Sequence, residues 1–301
     1  MATHKIMFPN FFLIGAPKCG TTSLALWLTE HPQVFMCAPK EPFFFCTDIE
    51  AYRAARTWQE YCRLFDGADG ACAVGEASTS YIRSRVAVPA ILERLPQARF
   101  VVCLRNPVDM IASVHGQMVR GVREDVSDLQ TALALEPARR HGDHLPPGTR
   151  EPKDLIYSDT CALGSQLVRL YHMVDPARVH LIFMDDLRAD PRKVWTDLQT
   201  FLGVPDDGRT KFTTENARAL PRSIPASHLM RGLQQVKNRV MPGRSLGIGL
   251  RLARVLERPA SAAEMTMPGA LRADLMQRFA AEIDILENLT GRDLSGWREG
   301  A

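Results

Sequence analysis

The sequence lacks a long hydrophobic run. Its 301 residues are 46% hydrophobic and 24% charged, which is ordinary for a globular chain and excludes the disordered and fibrous classes. The apolar run from Phe8 to Ala16 is interrupted by Pro9 and Asn10, so it is too short for a signal peptide or for a membrane span of about 20 residues. We therefore expect a cytoplasmic protein. Because the sequence shows no internal repeat and no convincing linker, we also expect a single domain over residues 1–301.

The sequence also lacks cysteine pairs and an excess of either charge. Its seven cysteines include no CxxC pair, and none stands at zinc spacing from a histidine, so we expect reduced thiols and no metal. Lysine and arginine number 37 against 34 aspartates and glutamates, which gives a formal net charge of +3. This balance predicts no nucleic-acid binding but is compatible with a local basic site for an anionic ligand.

What the sequence does contain is an alternation of strands and helices. Short continuous apolar runs are typical of strands buried on both faces, and they alternate with segments whose apolar residues have helical spacing. The predicted strands are 11–15, 71–74, 99–104 and 179–183. The predicted helices are 21–30, 87–95, 107–120, 162–174, 191–202 and 268–289. This order predicts an α/β fold with a central parallel sheet flanked by helices, and an irregular or helical C-terminal cap that includes residues 205–268.

A P-loop-like turn follows the first predicted strand. Gly15 and Gly20 keep the glycine spacing of the triphosphatase loop GxxxxGK[ST], but Thr21 stands where that loop has its lysine. Lys18 precedes the second glycine instead, which argues against an ATPase. Backbone N–H groups and the helix dipole favour an anion at this turn.

A second motif lies at the end of the predicted strand 99–104. Arg105 closes this strand, and Ser113 follows eight residues later on the helix that Pro107 begins. Two helical turns return Ser113 to the face that Arg105 can reach. A guanidinium fork together with a hydroxyl suits a terminal phosphate monoester.

Together these segments resemble the sulfotransferases that depend on 3′-phosphoadenosine 5′-phosphosulfate (PAPS). APKCGTTS at 16–23 is similar to the family's 5′-phosphosulfate loop, and LRNPVDMIAS at 104–113 is similar to its 3′-phosphate motif. Further similarity lies in HPQV, KEPFFF, GEASTSYI, DDLRADP, FLGVP and LTGRDLSGW. Glu41 with its following aromatics, and the tail ending at Trp297, are closer to carbohydrate (heparan-type) and bacterial members than to cytosolic aryl enzymes.

The resemblance implies a role for each matched residue. Lys18 and Glu41 would be catalytic, with Lys18 contacting the leaving phosphate and Glu41 acting as the general base. The residues that would bind PAPS are Lys18, Cys19, Gly20, Thr21, Thr22, Ser23, Arg105 and Ser113. The late Lys-Gly-Arg clamp of the carbohydrate branch has no clear counterpart, and Arg222, or its neighbour Arg218, is our substitute for it.

Two positions depart from the carbohydrate branch. Phe43 stands where that branch has a histidine, and Ala77 stands where a lysine follows the GE motif. We therefore expect a less polar acceptor side than a heparan cleft has. The expected reaction moves a sulfuryl group from PAPS to a hydroxyl of a small-molecule acceptor and releases 3′,5′-diphosphoadenosine. The alanine- and arginine-rich composition is typical of a bacterial source, for which we expect a natural product, a glycolipid or a sugar as the acceptor.

Several alternatives stay open from the sequence. Glu76, just past a predicted strand, and His115 are rival bases to Glu41. The basic stretch 231–258 is either a solvated helical cap, which we favour, or an amphipathic segment that forms a lid over a lipid-like acceptor or contacts a membrane surface. The chain as a whole could instead be a P-loop nucleotide kinase or triphosphatase, or a catalytically silent nucleotide-binding module. The pattern leaves the oligomeric state open.

Overall fold

Parallel strands covered by helices form the centre of the protein. The computed structural model describes residues 8–213, 219–221, 257–259 and 267–299. The strands in these residues are β1 (Phe11–Gly15), β2 (Val34–Met36), β3 (Ala73–Ala77), β4 (Arg99–Leu104), β5 (Val179–Phe183), β6 (Ala219–Pro221) and β7 (Glu257–Pro259). The first five form one parallel sheet in the order β2-β3-β1-β4-β5, and β6 pairs with β7 antiparallel.

Helices connect these strands. In the described residues they are α1 (Thr21–Glu30), α2 (Trp58–Arg63), α3 (Ala87–Arg94), α4 (Pro107–Arg120), α5 (Leu129–Ala134), α6 (Glu136–Arg140), α7 (Tyr157–Cys161), α8 (Leu163–Tyr171), α9 (Met184–Ala189), α10 (Pro191–Leu202), α11 (Gly269–Thr290) and α12 (Ser295–Arg298). Short 3-10 turns lie at Glu50–Tyr52, Pro152–Leu155 and Pro176–Arg178.

The position of β1 in the sheet determines where a ligand can be held. From β1 the chain adds β2 and β3 on one side and then crosses to add β4 and β5 on the other. All five strands are parallel, so their carboxyl ends share one edge of the sheet. Ligands of open α/β sheets bind at this edge, where the direction of strand addition reverses. In this protein that place is the carboxyl end of β1.

Local sequence explains why the elements begin and end where they do. Every residue of β1 and of β3 is buried, as expected for strands covered on both faces. Asp190 caps α10 by accepting a hydrogen bond from the Lys193 backbone N–H, and Gly203 ends it with a φ of 70°. The core beneath the helices includes Phe12, which stacks on Phe100 with ring centroids 6.0 Å apart.

Contacts divide the chain into two compact units. Unit 1 is Met1–Met110, Asp159–Glu215 and Met276–Ala301, and it contains the five-stranded sheet. Unit 2 is Ile111–Ser158 and Asn216–Leu275. The single-domain division over 1–301 stays a prediction, and most of the predicted cap at 205–268 lies outside the described residues. None of the described helices combines the length and the apolarity needed to cross a membrane.

A buried ion pair organises unit 2. Arg139 donates to both carboxylate oxygens of Glu124 at 2.6 and 2.8 Å, and both side chains are wholly buried. The hydroxyl of Tyr157 also donates to Glu124 at 2.7 Å. Burial opposes ionisation of Glu124, but the hydrogen bonds from Arg139 and Tyr157 outweigh the effect of burial and lower the pKa of Glu124. The carboxylate therefore remains charged beside Arg139.

The sequence predicted much of this architecture. The α/β class with a central parallel sheet and flanking helices is confirmed, and so is a C-terminal helical region, in α11 and α12. The predicted bounds are also confirmed for β1, α1, β4, α4, β5 and α10. One strand prediction was wrong in its bounds. The run predicted at 71–74 is β3 at Ala73–Ala77, so Glu76 lies within the strand rather than beyond it.

Gly75 is the physical reason that β3 continues past its apolar run. A Cβ atom at this position would lie only 2.1 Å from Cζ of Phe11, so glycine lets β1 and β3 approach. The pairing of Phe11 with Gly75 and of Phe12 with Glu76 then holds β3 in the sheet.

Candidate functional site

The turn after β1 presents a helix N-terminus at the carboxyl edge of the sheet. Gly20 precedes α1 with a φ of 85°, a conformation that suits glycine, and no side chain caps the helix. A Cβ on Gly20 would also lie 2.8 Å from Cδ2 of Leu187. Lys18 has a φ of 65°, which a residue with a side chain rarely adopts and which often marks a functional turn.

The first residues of α1 differ in how accessible they are. Thr21 and Ser23 are buried, at 4% and 3% exposure, whereas Thr22 and Lys18 are partly exposed. The first turn of α1 contains no acidic residue that would neutralise the positive end of its dipole. Thr22, Lys18 and the backbone N–H groups of this turn are therefore the groups best placed to meet an anion from solvent.

Cys19, inside the same turn, is inert. Its side chain is wholly buried, and its Sγ contacts the Met110 Sδ at 3.9 Å. Burial raises the pKa of the thiol to about 12, although the nearby charges of Arg105, Lys18 and Arg188 oppose this rise. Arg105, Lys18 and Arg188 therefore lie near the buried thiol, and no part of Cys19 is exposed.

Arg105 joins the end of β4 to this turn. Its Nη1 donates to the Lys18 carbonyl oxygen at 3.1 Å, and the side chain is 8% exposed. The neighbouring strand ends therefore bring the two sequence motifs together: the turn of Lys18 and the arginine that closes β4. A hydrogen bond to charged guanidinium is stronger than one between neutral groups, so the contact helps to fix the lysine backbone.

Asn106, the residue after Arg105, anchors this strand end in two ways. Its Oδ1 accepts from the Val108 backbone N–H at 3.0 Å and so caps α4. Its Nδ2 donates to the Trp297 carbonyl oxygen at 2.8 Å in the buried interior of unit 1. Trp297 in turn donates from Nε1 to Asp185 at 2.6 Å. The C-terminal segment thus packs beside the strand end that carries Arg105.

Glu41 lies beside the end of β3. Its backbone N–H donates to the Ala77 carbonyl oxygen at 2.9 Å, and its φ is 64°. Its Oε1 accepts from Thr79 Oγ1 at 2.8 Å and from Lys40 Nζ at 3.1 Å. The side chain is 35% exposed, so the carboxylate is held in place yet open to solvent.

The setting of Glu41 differs from the apolar one that its sequence neighbours suggest. Phe43, Phe44 and Phe45 are buried at 8% exposure or less and form part of the core. The rings of Phe44 and Phe45 contact each other and that of Tyr61, with the centroids of Phe44 and Tyr61 4.5 Å apart. The turn at Glu41 directs the phenylalanines inward, and polar groups surround the carboxylate.

A sequence profile of the sulfotransferase domain matches residues 8–231, which is most of the chain. The chain belongs to the sulfotransferase domain family. Its resemblance to sulfotransferases, expected from the motifs, is confirmed by this match.

Individual sulfotransferases are also similar to this chain in sequence. The membrane-associated sulfotransferase kil1 of Dictyostelium discoideum is 29% identical over 165 residues, which is 54% of this chain and 31% of that protein. The human bifunctional heparan sulfate N-deacetylase/N-sulfotransferase 3 is 27% identical over 208 residues, which is 65% of this chain and 22% of that protein. The chain thus spans roughly a fifth to a third of the length of these curated relatives.

A solved bacterial structure extends the similarity to the whole fold. The sulfotransferase from Alicyclobacillus acidocaldarius superposes with a TM-score of 0.73 at 27% identity, over 98% of this chain and 100% of that one. The strand-end turn, the arginine and the glutamate described above therefore lie in a sulfotransferase fold.

Of the rival bases, Glu76 is enclosed. It has no exposed surface, because it points into the core from β3. Tyr61 OH and Ser78 Oγ each donate to it at 2.5 Å. Burial raises its pKa to about 7, while these donors and Tyr81 oppose the rise. A carboxyl group in this position cannot touch an acceptor from solvent without rearrangement of the core.

His115, the other rival, belongs to the packed interior of unit 2. It is 5% exposed, its Nε2 lies 2.9 Å from the Val126 carbonyl oxygen, and its ring contacts that of Tyr157 edge-on. Burial lowers the pKa of this histidine, which keeps the ring neutral. These contacts support a structural role for His115.

Other predicted site residues stand as follows. Ser113 lies on α4 at 8% exposure, and its assignment to the 3′-phosphate stays a prediction. Arg222 and Arg218 lie outside the described residues, as does the basic stretch 231–258 apart from Glu257 and Arg258. Among the described residues, no group of three or more His, Cys, Asp or Glu side chains could hold a metal ion.

Sequence reasoning missed three contributors. Thr79 and Arg188 were not considered, and Lys40 was noted only as a neighbour of Glu41. Thr79 could have been found from its position in the sequence, because it follows β3 and so lies at the same sheet edge as the turn after β1. A Cβ on Gly15 would lie 2.7 Å from the Thr79 carbonyl oxygen, which shows how closely the two strand ends approach.

Proposed function

We propose that the protein is an O-sulfotransferase that moves a sulfuryl group from PAPS to a hydroxyl group of a small-molecule acceptor. The observation that carries the proposal is the turn after β1, where Lys18, the uncapped start of α1 and the Arg105 guanidinium converge. Membership of the sulfotransferase domain family supports it. The displaced lysine of the turn weighs against a triphosphatase.

The residues at this edge fit the two ends of an adenosine bisphosphate. Lys18 and the first N–H groups of α1 would hold the 5′-phosphosulfate, since both favour negative charge. Arg105 would bind the 3′-phosphate, for which a guanidinium fork is a good geometric match. Lys18 would stabilise the charge that develops on the leaving phosphate oxygen as its bond to sulfur breaks.

Glu41 is the proposed general base. It would take the proton of the acceptor hydroxyl while that oxygen forms its new bond to sulfur, leaving a sulfate ester and 3′,5′-diphosphoadenosine. Thr79 and Lys40 hold one oxygen of the carboxylate, and its 35% exposure leaves it accessible to an acceptor. Of the three candidate bases, Glu41 is the one whose side chain is partly exposed, since Glu76 and His115 are buried.

The acceptor side supports a small and weakly charged substrate. Ala77 and Phe43 replace a lysine and a histidine of the carbohydrate branch, and they are 1% and 8% exposed. No charge is therefore supplied at these two positions to a sulfated polysaccharide. A natural product, a glycolipid or a simple sugar is the acceptor class that we propose, in a cytoplasmic reaction that requires no metal.

Calorimetry with 3′,5′-diphosphoadenosine tests the nucleotide part of the proposal. We expect a one-to-one complex, and protection against heat by this nucleotide that exceeds protection by ATP with magnesium. Better protection by ATP with magnesium would favour a kinase or triphosphatase. The absence of any complex with 3′,5′-diphosphoadenosine would refute the assignment.

Transfer from ³⁵S-labelled PAPS to a panel of methyl glycosides, alkyl alcohols and phenols tests the reaction. Lys18→Ala should lower the rate by about 10²–10³ while weakening nucleotide binding far less. Glu41→Gln should lower it by about 10²–10⁴ with binding kept within a few-fold. Lys193→Ala and Glu93→Gln, on exposed faces of α10 and α3, are the matched controls and should keep the parental rate. Nucleotide binding with no transfer to any acceptor would indicate a silent module.

A further inference from the structure

Glu76 is a buried acid that the proposed reaction does not use. It lies on β3 with no exposed surface and is enclosed by the hydroxyls of Tyr61, Ser78 and Tyr81. Tyr61 reaches it from α2, and the other two reach it from the segment after β3. An acid inside a core costs stability unless its hydrogen bonds are satisfied, so its presence calls for a role.

The other ionisable groups around Glu76 remain neutral. The hydroxyls of Tyr61 and Tyr81 are buried, which raises the pKa of each, and the Glu76 carboxylate raises both further. Cys37 and Cys46 are the nearby thiols, and burial is again the main cause that raises the pKa of each. Glu76 is therefore the group in this cluster that changes charge near neutral pH, because burial raises its pKa to about 7.

The residues that follow Glu76 hold the turn of Glu41 at several points. Ser78 Oγ donates to Glu76 and accepts from the Phe43 backbone N–H at 3.1 Å. Thr79 Oγ1 donates to the Glu41 carboxylate at 2.8 Å, and the Ala77 carbonyl oxygen accepts from the Glu41 backbone N–H at 2.9 Å. Each contact comes from within three residues of Glu76.

This turn needs such support. Glu41 and Phe43 have φ values of 64° and 50°, which residues with side chains adopt only when their surroundings hold them there. Ser78 has a single hydroxyl hydrogen. While it donates that hydrogen to an ionised Glu76, its oxygen lone pairs face the Phe43 N–H.

We propose that Glu76 is a positioning residue that holds Glu41 in its working geometry through Ser78 and Thr79, and that it does so only as the carboxylate. A protonated Glu76 donates from one oxygen, so a hydroxyl that donates to that oxygen has to reorient. Ser78 donates to Oε1, so a proton on this oxygen forces Ser78 to reorient, which weakens its bond to Phe43 and removes one support of the left-handed turn. This inference rests on the proposed role of Glu41 as the base.

Two variants test the inference. Glu76→Gln has nearly the same shape as glutamate but presents an amide donor at every pH. It should lower kcat by about 10- to 100-fold, as expected for a displaced catalytic group, with KM for PAPS and Kd for 3′,5′-diphosphoadenosine within twofold of the parent. The rise of kcat with pH near 7 should disappear in this variant.

Tyr61→Phe is the matched variant, because it removes a donor to Glu76 without touching Ser78 or Thr79. The Tyr61 hydrogen bond lowers the pKa of Glu76, so its loss should move the acid limb of the kcat profile to higher pH. The plateau above that limb should stay within twofold of the parent. A residue with a purely structural role would not shift the pH profile in this direction.

Crystal structures of the parent and of Glu76→Gln test the inference without an acceptor substrate. The inference expects the bond between Thr79 and Glu41 to lengthen beyond 3.5 Å in the variant, from 2.8 Å in the parent. An unchanged bond and an unchanged φ at Glu41, or parental kcat in Glu76→Gln, overturns it. Failure of the proposed function is distinct, because it appears as the absence of a nucleotide complex with the parent protein.

Discussion

The contribution of one side chain, Glu76, to the stability of this protein should fall as pH rises from 4.5 to 7. Burial raises its pKa from the usual 4.5 to about 7, while in the unfolded chain the group returns to its usual value. Between these two pH values the unfolded chain releases the proton and the folded protein keeps it. The contribution of Glu76 to the free energy of unfolding therefore decreases with pH across this window and levels off above it.

The magnitude follows from the same two values. One pKa unit corresponds to about 1.4 kcal/mol, so the rise from 4.5 to about 7 corresponds to roughly 3 kcal/mol. No solvent screening reduces this value, because the side chain has no exposed surface. The ionised state that we propose for catalysis is thus the less stable state, a common trade between activity and stability.

Urea unfolding of the parent and of Glu76→Gln, at half-unit steps from pH 4 to pH 8, measures this effect. Other ionisable groups contribute equally to both proteins, so the difference between their unfolding free energies isolates Glu76. We expect the parent to lose about 3 kcal/mol relative to the variant between pH 4.5 and pH 7. Glu93→Gln, at an exposed position on α3, should show no such change. A difference that stays flat within about 1 kcal/mol would refute the reasoning.

Three further predictions concern the turn, the strand end and unit 2. Gly20→Ala forces a side chain into the left-handed conformation and should cost about 1–3 kcal/mol in urea unfolding, with weaker binding of 3′,5′-diphosphoadenosine in calorimetry. Asn106→Ala removes a helix cap and the buried bond to Trp297, and should cost about 2–4 kcal/mol, whereas Asn106→Asp keeps the cap acceptor and should lose less of the α4 helix by hydrogen exchange. Glu124→Gln leaves the buried Arg139 guanidinium without its countercharge and should cost about 3–5 kcal/mol by the same unfolding assay; a loss below 1 kcal/mol would contradict this.

Local signals explain which elements could be predicted. β1 and β4 are continuous apolar runs, and such runs need no knowledge of their partners to be recognised as buried strands. α4 begins after Asn106 with a proline at its first position, and α10 begins after Asp190 in the same way. These capping residues act within a few positions of themselves, so the helix starts follow from the sequence.

Elements that depend on distant partners could not be predicted in the same way. β2 has only three residues, and it is a strand because β3 supplies its hydrogen bonds. Glu76 was expected beyond its strand because the apolar run of the sequence ends at Val74. Its place in the core depends on Tyr61, which lies 15 residues earlier in the chain and supplies a hydroxyl.

The sequence by itself determined the fold class and the candidate anion-binding roles of Lys18 and Arg105, because each is encoded by residue types at short and regular spacing. The family and the candidate role of Glu41 followed from the resemblance of its motifs to those of sulfotransferases. Only the tertiary structure decided that Arg105 reaches the Lys18 carbonyl and that Thr79 holds Glu41. Both contacts depend on the strand order of the sheet, which brings separate strand ends to one edge. Spacing along a chain carries no information about such neighbours, since it is the pairing of strands in space that creates them.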